Sequence, residues 1–128
     1  DNINDMYKFK TPALRNVSLT APYGHNGAYP TLKSIIKHHL NPIKMNKNWK
    51  PEYANLPKAT WLEEIDFVTF SDKREQDRIL SSIDIQPIEL NDKEIDELVS
   101  FLKSLTGRSG NQRPLGKPDK VPSGLSID

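Results

Sequence analysis

The sequence predicts a mainly α chain, in which short amphipathic helices are joined by long proline-rich loops. Apolar residues recur at helical spacing over 31–40 and again over 91–106. Ten prolines among 128 residues break the chain between and around those stretches. Hydrophobic residues make up 35% of the chain, below the roughly 45–50% of ordinary globular domains counted with glycine. A chain of this size suits one small domain or a piece of a larger one, and its low apolar content points to much loop or to packing against something else.

The elements follow in order. Residues 11–30 hold three prolines and two glycines, which exclude a regular helix, yet Leu14, Val17, Leu19, Tyr23 and Tyr29 make this a loop that lies on a surface. Thr31 is placed to cap a helix over about 31–40, whose apolar face is Leu32, Ile35, Ile36, His39 and Leu40. Pro42 is expected to end it, and 41–60 reads as a long loop pinned by Trp49, Tyr53 and Leu56. Residues 61–70 fit either a helical turn or a strand. Asp72 and Glu75 resemble a capping box for a helix over about 73–82, with Ile79 and Leu80 facing inward. Asn91 opens the clearest helix, over about 91–106, with acidic residues at its positive end and an apolar stripe of Ile95, Leu98, Val99, Leu102 and Leu105. Gly107 is expected at C′, and 108–128 forms a Pro/Gly-rich tail.

Composition excludes several classes of function. With no cysteine, this chain has no disulfide, thiolate metal site, cysteine nucleophile or covalent haem attachment of its own. A net charge of +1 with interspersed signs leaves no nucleic-acid footprint. The chain shows no long apolar run to span a membrane and no leader, and it lacks a phosphate-binding glycine loop, HExxH or GxSxG.

Few residues remain to carry chemistry. His39 sits in the middle of an apolar helix face, either as a core histidine satisfied by a backbone carbonyl or as a metal or haem ligand. His38 lies about 100° round the helix, toward the exposed side. Met45 is a possible soft ligand, although a lone loop methionine ordinarily packs. His25, between Gly24 and Gly27, is either a turn histidine or a hydrogen-bond donor or acid/base group brought close to a partner. Lys10 and Arg15 are surface charges or carboxylate partners.

The string Phe9-Lys10-Thr11-Pro12-Ala13-Leu14-Arg15-Asn16-Val17, followed by Leu19-Thr20-Ala21-Pro22-Tyr23-Gly24-His25-Asn26-Gly27 and by Thr31-Leu32-Lys33-Ser34-Ile35-Ile36, is more specific. It resembles the C-terminal haem domain of the bacterial di-haem cytochrome c peroxidases and the MauG-like proteins. The resemblance is close over about 6–40, and it resumes in the closing helix at 89–107 and in Val121-Pro122-Ser123-Gly124-Leu125. It implies a partial cytochrome c-like domain that lacks the haem-attachment segment: residues 1–107 as its C-terminal part, with an insertion at about 43–85, and 108–128 as the tail.

The resemblance also implies roles. The family's axial-ligand slot for its electron-transfer haem lies fourteen residues after the loop histidine, and here that slot holds His39. Lys10, Arg15 and His25 correspond to groups around the haem edge and propionates, and the backbone carbonyls of Thr20 and Pro22 to calcium ligands. No catalytic residue falls in this segment. The implied parent carries two haem c groups and calcium. It reduces hydrogen peroxide with electrons from a small cytochrome or cupredoxin, in the periplasm. The alternatives are a MauG-like oxidase that modifies a partner protein, or a non-catalytic electron-transfer or binding module. The insertion favours the MauG-like branch, and its aromatic residues serve as packing or as electron relays. The isolated chain is expected to be inactive, to need the rest of the parent chain, and to bury its haem-facing surface in a homodimer.

Overall fold

The computed structural model describes residues 5–54, 56 and 59–108; the tail, apart from Arg108, lies outside them. Among the described residues the chain is mainly α with no strand, as the sequence predicts. The helices are α1 (Leu32–Leu40), α2 (Pro42–Asn48), α3 (Val68–Ser71), α4 (Lys73–Ser81) and α5 (Asp92–Ser104). Short 3-10 turns at Val17–Leu19 and Pro51–Tyr53 punctuate the loops.

The helix ends are set by side chains that satisfy free amides. Thr31 and Ser34 form a reciprocal capping box at α1, and Asn91 and Glu94 form another at α5. Asp72 accepts from the amides of Arg74 and Glu75 at α4. Glu75 does not complete that box; its carboxylate takes the Tyr7 hydroxyl and pairs with Arg78 at 3.3 Å.

Helix α2 corrects the sequence reading, which placed a loop here. Asn41 accepts from the Lys44 amide at 2.9 Å, and Pro42 stands at the first helical position, where its missing N–H costs nothing. Pro42 therefore starts a helix rather than only stopping one. The pinning of 41–60 also differs. Trp49 packs against the core and donates from Nε1 to the Ala28 carbonyl at 3.0 Å, whereas Tyr53 and Leu56 are exposed. Trp49 also receives Phe70 and Phe67, with ring centroids at 5.1 and 6.1 Å, and so docks the α3–α4 region. Residues 61–67 resolve as turns leading into α3.

The core is small. Tyr23, Tyr29 and Leu32 form its buried cluster, with Val17, Ile35, Met45, Val99 and Leu102 packed around them. Ile95, on α5, is buried as well, at 4% exposure. Helix α1 packs against both α2 and α5, and α5 also meets the Val17–Leu19 turn. Lys33 and Lys37 reach Asp96 and Asp92 at 2.7 and 3.6 Å across the α1–α5 contact, but exposed pairs of this kind add little to stability. Leu98, assigned to the buried stripe of α5, sits at its edge and is exposed.

Gly107 plays a different part from the one expected. Helix α5 ends at Ser104 with Leu105 as its cap, so Gly107 is not the C′ residue. Its amide instead donates to Asn16 Oδ1 at 2.8 Å, while the Asn16 amide donates to the Leu105 carbonyl at 3.2 Å. Asn16 holds a left-handed backbone, with φ of 60°, a conformation asparagine tolerates better than most residues. Asn16→Ala removes the acceptor and worsens the backbone fit. Its expected cost is about 2 kcal/mol, read from the shift in a urea unfolding curve.

Candidate functional site

The loop histidine is positioned by a tight closure. Tyr23 and Tyr29 exchange backbone hydrogen bonds of 2.7 and 3.0 Å, and the chain between them turns through Gly24 and Gly27 at φ of 87° and 70°. A Cβ on Gly27 would stand 3.0 Å from Pro22 Cγ, in a backbone conformation that side chains disfavour. Gly27→Ala is therefore expected to cost about 2 kcal/mol and to displace the His25 loop, visible as a changed His25 ring resonance by NMR. His25 is exposed at the tip of this turn, and its ring stacks on Phe9 at 4.2 Å.

The two histidines of α1 exchange the environments the sequence suggested. His38, assigned outward, is half-buried: its Nδ1 lies 2.9 Å from the Tyr29 hydroxyl, and the two rings are 4.9 Å apart. Burial, and secondarily the neighbouring His39, hold His38 below its usual pKa, so it is a neutral imidazole. Burial raises the Tyr29 hydroxyl, which stays protonated. His39, assigned to the middle of the apolar face, is exposed. The physical reason is the side of α1 that the core covers: Tyr29 meets the His38 side of the last turn and leaves His39 uncovered.

His39 is nonetheless oriented. Its Nδ1 is 2.9 Å from the Ile35 carbonyl. A carbonyl can only accept, so Nδ1 carries a proton, and in the neutral ring the lone pair is on Nε2, directed away from that bond. This is the tautomer and the backbone support that metal-bound histidines use. The His38 ring meets His39 edge-on at 5.7 Å and limits its swing.

The other candidate residues stand apart from this pair. Lys10 and Arg15 are exposed, and neither makes an ion pair among the described residues. The carbonyls of Thr20 and Pro22 accept no hydrogen bond among the described residues, and Thr20 Oγ1 donates to the Val17 carbonyl at 3.0 Å. Among the described residues no cluster of three or more His, Asp or Glu forms a metal site. Met45 packs on the core cluster, the ordinary fate of a methionine at such a position. Phe9, Leu14 and Leu19 of the loop, and Leu98 and Phe101 of α5, expose apolar side chains. No hydrogen bond or ring contact among the described residues joins Lys10, Arg15 or His25 to His39. The Tyr29–His38 pair was missed by sequence reasoning. The burial of Tyr29, which helical spacing within α1 does not report, is the signal that finds it.

The geometry gives an oriented imidazole on α1 and, apart from it, exposed Lys10 and Arg15 that form no ion pair among the described residues, together with uncovered apolar surface. Comparison with characterised proteins supplies the class: the chain belongs with the MauG and cytochrome c peroxidase proteins, and it corresponds to a segment of such a protein. The methylamine utilization protein MauG of Paracoccus denitrificans (strain Pd 1222) is 36% identical over 104 residues, 79% of this chain and 23% of that protein. MauG of Methylophilus methylotrophus is 33% identical over 64 residues, 50% of this chain and 19% of that protein. The cytochrome-c peroxidase IdrP1 of Pseudomonas sp. (strain SCT) is 46% identical over 35 residues, 27% of this chain and 9% of that protein. The chain thus spans about a quarter of the length of these MauG relatives, or less. No family model and no solved structure matches it.

Proposed function

We propose that this chain seats one haem of a di-haem c-type oxidoreductase and that His39 is an axial ligand of its iron through Nε2. The bond from His39 Nδ1 to the Ile35 carbonyl carries this reading, because it fixes the ring and leaves the ligating nitrogen bare. The haem supplies one-electron chemistry at iron, and its attachment cysteines belong to the rest of the parent chain. Lys10, Arg15 and His25 are the groups for its edge and propionates, for which two cations and an imidazole N–H donor are suited. The carbonyls of Thr20 and Pro22 offer hard oxygen donors to calcium, with further ligands from water and the remaining chain. Residues 1–107 form the C-terminal part of the haem domain in this reading.

The parent protein reduces hydrogen peroxide, in the periplasm, with electrons from a small cytochrome or cupredoxin. The longer match to MauG, 104 residues against 35 for the peroxidase, favours a second reading in which it oxidises a partner protein. One assay separates the two: peroxide is given to the full-length, haem-loaded protein with a reduced small cytochrome, and then with an extract analysed by mass spectrometry. Oxidation of two cytochromes for each peroxide lost supports the first, since reducing peroxide to water takes two electrons, and a modified partner supports the second. No peroxide consumption under either condition overturns both.

A further inference from the structure

Trp49 and Tyr53, in the segment that the haem-seating role leaves unused, border a second feature, open to solvent on one side. Together with Tyr29 and Met45 they line a cavity of about 420 Å³ between the Tyr23–Tyr29 turn and the α2 region. That volume falls within the roughly 300–1,000 Å³ of small-molecule sites. None of the residues assigned to haem or calcium lines it. We propose that this cavity binds a small organic cation with an alkylammonium headgroup. The proposal goes beyond the haem reading and does not depend on it.

The lining selects this chemistry. The walls are aromatic and thioether surface, and the charged group among the lining residues is the carboxylate of Glu52. Glu52 makes no ion pair or hydrogen bond among the described residues, unlike Glu75, which is engaged by Tyr7 and Arg78. A carboxylate beside aromatic walls repels anions, and a neutral apolar ligand, though it packs on the walls, leaves that charge uncompensated. A hard metal ion needs six or more oxygen donors, which these walls do not provide. An ammonium whose shell is alkyl satisfies both parts, since its charge is attracted by aromatic rings and by the carboxylate while its methyl groups pack. The walls are also held in place. Trp49 is fixed by its bond to the Ala28 carbonyl and by Phe70, and Tyr29 by His38, while Tyr53 stands half exposed at the rim. Little ordering is then needed on binding.

The test uses the full-length protein with its methionine methyl groups isotopically labelled. The Met45 resonance, assigned through Met45→Leu, is followed by NMR during titration with choline and with dimethylbutanol, choline's uncharged isostere. A saturable Met45 shift with choline is expected, with the isostere binding about tenfold more weakly. Glu52→Gln and Tyr53→Ala are each expected to weaken choline binding by about fivefold or more, and Tyr53→Phe to retain it. Tyr53 is half exposed, so its truncation leaves the fold intact, which an unchanged thermal midpoint verifies. No saturable shift, equal affinity for the isostere, or binding indifferent to Glu52 and Tyr53 overturns the proposal.

Discussion

Tyr29→Ala is expected to destabilise the protein by about 3–5 kcal/mol, enough to remove a large part of the stability of an ordinary domain. Tyr29 is one of few buried side chains, at 8% exposure, and it stands where the turn, α1 and Trp49 converge. Its truncation leaves a ring-sized void, unpairs His38 Nδ1, and weakens the closure that holds His25. Tyr29→Phe separates these effects, because it keeps the ring and loses the hydroxyl bond at a cost of about 1 kcal/mol. Urea unfolding of the two variants checks the ratio. Equal, small effects from both would show that Tyr29 does not organise the core.

The second large effect is electronic. Axial ligand identity is a main control on haem potential, which spans roughly 0.8 V across ligand sets. His39→Ala in the full-length, haem-loaded protein is expected to raise the potential of one haem by about 0.1 V or more and to leave the other unchanged. His39→Met is expected to move it in the same direction, since a thioether favours ferrous iron more than an imidazole does. His38→Ala is the control. It loses the Tyr29 bond and some stability but leaves both potentials near their wild-type values, because His38 is turned to the Tyr29 side of α1. Spectroelectrochemical titration reads all three. A shift confined to His38→Ala would exchange the roles assigned to the two histidines.

Legibility in the sequence followed how local each signal is. The α1 and α5 starts were readable because Thr31 with Ser34, and Asn91 with Glu94, lie within one turn of the amides they cap. Helix α2 was hidden by reading Pro42 only as a terminator, although Asn41-Pro42 is equally a start. Gly107 was misplaced because its partner, Asn16, is distant in sequence. The same limit explains the histidines. Helical spacing puts His39 at the centre of the apolar face, but which side of the last turn is covered depends on Tyr29, which comes from another segment and packs on His38. The role proposed for His39 comes from the family resemblance of the loop motif, and the structure adds the Ile35 carbonyl that orients its ring.

The most direct measurement is the visible absorption spectrum of the full-length, haem-loaded protein beside its His39→Ala variant, in both redox states and with and without added imidazole. The account predicts that the variant loses the low-spin spectrum of one haem and that imidazole, entering the space left by the side chain, restores it. Identical spectra for the two proteins in both redox states would contradict the account and place the iron ligand elsewhere.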